Sequence, residues 1–108
     1  MKQLTKQTFQ SDIKSHSGVA LIDFYADWCG PCKMLSPLME ELAKDMEGDT
    51  DVIIAKVDVD KEQELAGEFG VMSIPTVILF KNGEVVQQFV GVQPKEVYKG
   101  AIENAKSA

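Results

Sequence analysis

Two β-rich runs separated by Asn82-Gly83, in "TVILFKNGEVVQQFV", restrict the fold more than any other stretch of this chain. Asn-Gly accepts the positive φ angles of a two-residue type I′ turn, so the flanking runs must pair as an antiparallel hairpin. The two earlier strand candidates make a different demand. "VALIDFYA", Val19 to Ala26, and "DVIIAKVDV", Asp51 to Val59, are nearly continuous apolar runs. Such runs suit strands covered on both faces of a sheet. They are separated by a segment with Leu35, Leu38, Met39, Leu42 and Met46 at helical spacing, closed by Gly48. That spacing predicts an amphipathic helix from Cys32 to about Met46, with Pro37 inside it as a source of a kink. Strands joined by a helix pair in parallel through a right-handed crossover, and the hairpin then adds an antiparallel edge.

The remaining elements are weaker. A short strand is expected near Lys2 to Leu4, a short helix from about Thr8 to Ser15, and a polar helix within "DKEQELAGEFG" ending at Gly70. Pro94 is expected to open a last helix whose apolar face is Val97, Ala101, Ile102 and Ala105. The sum is an α/β chain with a mixed sheet and helices on both faces. Its 108 residues fit one domain spanning 1–108.

Seventeen acidic residues against eleven basic ones give a net charge of -6, which repels nucleic acid and anionic lipid alike. No apolar run approaches the roughly 20 residues that span a bilayer, and "MKQLTKQTFQSDIK" lacks the apolar core of a secretory signal. A cytoplasmic protein with neither a nucleic-acid nor a membrane partner is expected. The acidic stretch from Asp58 to Glu64 is expected to be solvated surface.

Both cysteines, with the only tryptophan, fall in "DWCGPCK". With Cys29 at a helix start and Cys32 three residues on, helical geometry puts their Cα atoms about 5 Å apart. That separation lies within the disulfide range. The free N–H groups and dipole at the helix start favour a negative charge on Cys29, and the thiolate is the nucleophile. Cys32, one turn deeper and more shielded, suits attack on the mixed disulfide that Cys29 forms. Gly30 and Pro31 permit the tight turn into the helix. As a staple the pair would do little, because so short a loop removes little denatured-state entropy. A zinc site needs about four ligands, and beyond the cysteines only His16 offers a soft one. Two incidental buried thiols are the bland alternative, but the spacing between strand and helix favours redox chemistry.

The stretch "FYADWCGPCKMLSPLMEELA", with "VDVD", "SIPT", "FKNGEVV" and "VGVQPKE" around it, resembles the thioredoxin family along nearly the whole chain. That resemblance implies a five-stranded mixed sheet flanked by four helices, and a monomer that reduces disulfides in other proteins. It also implies recycling by thioredoxin reductase, a flavoprotein using NADPH, so that FAD and NADPH serve only indirectly and the chain binds no cofactor or metal. By position, Cys29 matches the attacking cysteine and Cys32 the resolving one.

Asp23 matches the family's buried carboxylate, and a carboxylate in an apolar strand should have a raised pKa suited to proton exchange. A partly exposed or ion-paired structural Asp is the other reading. Lys56 matches the lysine near that carboxylate, and it can equally be read as a side chain reaching outward to water. Pro75 matches the family's cis-proline. Ile74 matches the residue whose backbone pairs with an extended substrate segment. Trp28, Val59, Ile74, Gly91 and Val92 match an apolar docking surface, with Val59 also readable as core. Met34 and Met39 are read as packing residues, and His16 as a surface residue without a role. Tyr25 stands where many relatives have tryptophan, Asp27 where glutamate or proline is frequent, and Ser73 where glycine is common. These departures bear on partner preference and reduction potential. Disulfide formation and a purely structural subunit are the competing functions; the Gly-Pro pair and the missing export signal favour reduction.

Overall fold

The computed structural model describes all 108 residues. In chain order the elements are β1 (Lys2–Gln3), α1 (Lys6–Phe9) running into a π-helical turn (Gln10–Lys14), β2 (Val19–Tyr25) and α2 (Gly30–Asp45). They continue with β3 (Val52–Asp58), α3 (Gln63–Glu68), β4 (Thr76–Lys81), β5 (Glu84–Val90) and α4 (Lys95–Ser107). The five strands form one sheet in the order β1-β3-β2-β4-β5. β1 and β2 run parallel to β3, while β4 is antiparallel to β2 and to β5. The expected mixed sheet is present. Its hairpin turns at Asn82 (φ 52°) and Gly83 (φ 82°), the pair of positive φ angles that a type I′ turn needs.

Each face of the sheet buries its own core, as period-two alternation along covered strands requires. On one face Val19, Leu21, Ile54, Val77, Leu79 and Phe89 pack beneath α2 and α4, through Leu35, Met39, Leu42, Tyr98 and Ile102. On the other, Ala20, Ile22, Phe24, Val57, Ile78 and Phe80 pack against Phe9, Ile13, Leu65 and Phe69. Phe69 lies 5.2 Å from Phe9 and 5.3 Å from Phe80, centroid to centroid, within the distances aromatic pairs favour.

Several boundaries and surfaces differ from the sequence-based expectation. The first helix starts at Lys6 because Thr5 caps it: its hydroxyl accepts from the Thr8 N–H, and the Thr8 hydroxyl accepts from the Thr5 N–H. This is a capping box with threonine replacing the usual Glu or Gln at the third position. In α4, Val97 is exposed and Tyr98 takes its place in the core. The buried stripe therefore runs Tyr98, Ile102, Ala105 at spacings of four and three. Pro94 caps the helix from outside, with extended backbone (ψ 148°), and the helix begins at Lys95. α2 runs unbroken through Pro37. Asp58, expected at the surface with its acidic neighbours, is buried at 3% exposure. Its Oδ1 accepts from the N–H groups of Asp60 and Lys61 at 2.9 and 3.3 Å, so the carboxylate folds the turn that follows β3.

β2 ends at Tyr25, α2 begins at Gly30, and the loop into β4 meets them at the same end of the sheet. Cys29, Cys32, Val59 and Ile74 come together at this end.

Candidate active site

Cys29 is the N-cap of α2, with extended backbone (φ -87°, ψ 114°). Its sulfur accepts from the Cys32 N–H at 3.2 Å. A sulfur in this position satisfies one of the helix's free donors and sits in the positive field of its first turn. Pro31 occupies the first turn, where the N–H it lacks would have had no partner. Cys29 and Cys32 are joined as a disulfide, with Cα atoms 5.2 Å apart, the separation expected from helical geometry. Both are buried, in a small cluster with Ala26 that Tyr25, Val59 and Ile74 pack against.

Two segments converge on the sulfurs. The Ile74-Pro75 bond is cis, and the Ile74 carbonyl oxygen lies 3.8 Å from Cys29 Sγ. The Thr76 hydroxyl donates to the Ser73 carbonyl at 2.6 Å, bridging the turn around Pro75. The Gly91 N–H donates to the Pro75 carbonyl at 2.8 Å, which brings the end of β5 and Val92 to the same rim. Gly91 has φ 86°, a backbone region where glycine carries no steric penalty.

Trp28 is 69% exposed. Its indole N–H donates to Asp60 Oδ2 at 2.7 Å, so an apolar ring in water is held in a fixed orientation. Val92 is also exposed, while Val59 and Ile74 are half-buried. Sequence reasoning missed Asp60 as the anchor of this ring, since nothing local links residues 28 and 60. It also passed over Met72, which is 97% exposed two residues before Ile74.

Asp23 is 2% exposed on β2. Its Oδ1 is enclosed without a hydrogen-bond partner. Burial raises its pKa from 3.8 to about 7, against the opposing pull of Lys56, so the carboxyl can gain or lose a proton near neutrality. Lys56 is its register partner across the β2/β3 pairing. The lysine is half-buried, and its Nζ lies 5.4 Å from the centroid of the Tyr25 ring. Tyr25, Cys32, Ser36 and Lys56 line a cavity of about 180 Å³ between the strands and α2. Neither His16 nor Met34 lines this cavity or packs in the cysteine cluster, and Met39 is core. His16 meets the Asp51 carbonyl oxygen at 3.0 Å, while Met34 is exposed.

Residues 1–104 match the thioredoxin family model. The chain belongs to the thioredoxin family. A thioredoxin 2 of Chlorobaculum tepidum is 50% identical over 95 residues, covering 88% of this chain and 85% of that one. A thioredoxin of Staphylococcus aureus is 55% identical over 85 residues, covering 79% and 80%. A solved structure of a mutant thioredoxin from Halobacterium salinarum superposes with a TM-score of 0.85 at 45% identity, covering 97% of this chain and 89% of that one. Thioredoxins are thiol-disulfide oxidoreductases that work through a reversible cysteine pair without a bound cofactor, and this chain is one of them. Disulfide-bearing proteins and thioredoxin reductase are the family's usual partners. No three His, Cys, Asp or Glu side chains are grouped to hold a metal ion. No helix is long and apolar enough to cross a membrane.

Proposed function

We propose that this thioredoxin, acting as one domain over residues 1–108, is a general cytoplasmic reductant of protein disulfides, with Cys29 as nucleophile and Cys32 as resolving cysteine. The observation that carries this reading is the Cys32 N–H···Sγ bond to Cys29 at the mouth of α2, because a donor aimed at that sulfur stabilises its thiolate. In the dithiol form the Cys29 thiolate attacks one sulfur of a substrate disulfide. The S–S bond breaks, the second substrate sulfur leaves as a thiolate, and a mixed disulfide remains. Cys32 then loses its proton and attacks Cys29 Sγ. The first substrate sulfur departs, the Cys29–Cys32 disulfide forms, and two electrons have passed to the substrate. Asp23 accepts the Cys32 proton, and Lys56 biases Asp23 toward its ionised form. Thioredoxin reductase restores the dithiol with electrons from NADPH.

Substrate is held as an extended segment laid along the Ile74-Pro75 backbone. Trp28, Gly30, Pro31, Gly91 and Val92 form the surface against which it rests. The exposure of Trp28, Gly30, Pro31 and Val92 and the fixed indole support this assignment. An insulin-reduction assay with thioredoxin reductase and NADPH tests the function. Turnover well above a dithiothreitol-only control is expected, and its absence would overturn the proposal. The reduction potential of the couple separates this reading from disulfide formation: a strongly reducing value is expected, and an oxidising one would reverse the direction.

A further inference from the structure

Asp23 and Lys56 are register partners on adjacent parallel strands, so their side chains leave the sheet on the same face. Opposite charges so placed on an enclosed face would ordinarily meet. They do not: Asp23 Oδ1 has no partner, and the ammonium of Lys56 lies over the ring of Tyr25. Tyr25, two residues beyond Asp23 on β2 and in register with Asp58, shares that face.

We infer that Tyr25 is a positioning residue, whose ring holds the Lys56 ammonium at the cavity mouth and out of contact with Asp23, thereby setting the pH at which Asp23 exchanges its proton. This rests on the proton-accepting role proposed above for Asp23. The attraction is electrostatic, since a ring face presents negative charge to a cation within about 6 Å. The observed 5.4 Å falls inside that range. Tyr25, Lys56 and Cys32 line the same cavity, so a move of the ammonium changes the field around both the carboxyl and the resolving sulfur.

Other groups contribute to that field. β3 brings Asp58 beside Lys56, and Asp27 follows Tyr25 after the end of β2. α2 brings Cys32 and Lys33 to the cavity. α4 brings Tyr98, which senses the Asp23 charge, while β4 opposes Asp23 with the uncharged Val77. Lys56 is the one opposite charge acting directly on Asp23, and so the one whose distance matters most.

The test is an NMR titration of the Asp23 carboxyl carbon in the oxidised protein, for wild type, Y25F, Y25W, Y25L, K56M and Y25L/K56M. Without the ring the ammonium is free to meet the unpartnered carboxyl. Y25L should therefore lower the Asp23 midpoint by about half a pH unit or more, roughly a threefold change in the ionised-to-protonated ratio. Y25F and Y25W keep an aromatic face and should stay near wild type. K56M should raise the midpoint, and in its background Y25L should have no effect. An unchanged or raised midpoint in Y25L would overturn the inference. So would a Y25L shift that persists without Lys56, since the ring would then act by keeping water out. If Y25L does not fold, Y25M replaces it, and an unchanged midpoint in K56M alone is also fatal. The pH profile of mixed-disulfide resolution in D23N tests the underlying relay separately. A D23N profile identical to wild type would remove that role from Asp23 and leave the Tyr25 titration interpretable in its own right.

Discussion

Cys32 donates its backbone N–H to the sulfur of Cys29 at 3.2 Å, so the amide of one cysteine is placed to stabilise a thiolate on the other. The relationship depends on Cys29 standing at the N-cap, one residue outside the helix, where its sulfur can turn back over the first turn. It makes the two cysteines chemically unequal although only Gly30 and Pro31 separate them.

Replacing each cysteine by serine should expose that inequality. Cys32→Ser is expected to accumulate mixed disulfides with target proteins, because Cys29 can still attack but nothing displaces the captured sulfur. Cys29→Ser should trap almost none. Non-reducing electrophoresis with mass spectrometry reads the outcome, and trapping by Cys29→Ser alone would reverse the roles.

Asp23 should make folding stability depend on pH. Its pKa rises from 3.8 to about 7 on folding, so between those values the folded chain binds the proton that the unfolded chain has released. The stabilisation is fully present below about pH 4 and is lost as pH rises through 7. A shift of about three units corresponds to roughly 4 kcal/mol. Asp23→Asn should remove this dependence and raise stability more at pH 8 than at pH 4. Denaturant midpoints at the two pH values measure it, and an equal gain at both would contradict the assignment.

Trp28→Ala should separate docking from folding. The ring is mostly in water and has one polar anchor, Asp60, so its removal should leave the melting temperature within a few degrees of wild type. KM for insulin or for the reductase should rise several-fold, while the thiol chemistry remains. A large fall in melting temperature with KM unchanged would make Trp28 a structural residue.

Two glycines with similar backbone angles should respond differently to alanine. Gly91 (φ 86°) has open space where a methyl would go, so Gly91→Ala should carry only the left-handed backbone penalty of ~1–2 kcal/mol. At Gly83 (φ 82°) the same methyl would run into the Lys14 carbonyl oxygen. Gly83→Ala should therefore lose a further ~1–3 kcal/mol from overpacking. Urea unfolding of the two variants provides the comparison.

The fold was legible where local chemistry and burial agree. Asn82-Gly83 specifies its own turn, and the apolar runs of β2 and β3 announce strands covered on both sides. Val97 against Tyr98 was not legible, because both are apolar enough to face a core and only the packing of α4 against the sheet decides between them. Asp58 was misplaced for a related reason. A carboxylate in an acidic run reads as surface until its two backbone donors are seen. At the active site the cysteine spacing carried its own geometry. The Trp28–Asp60 bond and the Tyr25–Lys56 contact span about thirty residues each, and no periodicity within one element encodes them.

The hairpin tip has a bearing on how the protein ages. Asn-Gly is the dipeptide most prone to lose its side-chain ammonia, through attack of the glycine nitrogen on the asparagine amide carbon. Here Asn82 Oδ1 accepts from the Gly18 N–H at 3.0 Å, while the Asn82 N–H donates to the Gly18 carbonyl at 2.8 Å. That clasp restrains the rotation that ring closure would require. Deamidation at Asn82 should accordingly be slow in intact material and fast in denatured chains, so that its appearance in a stored sample would record past unfolding.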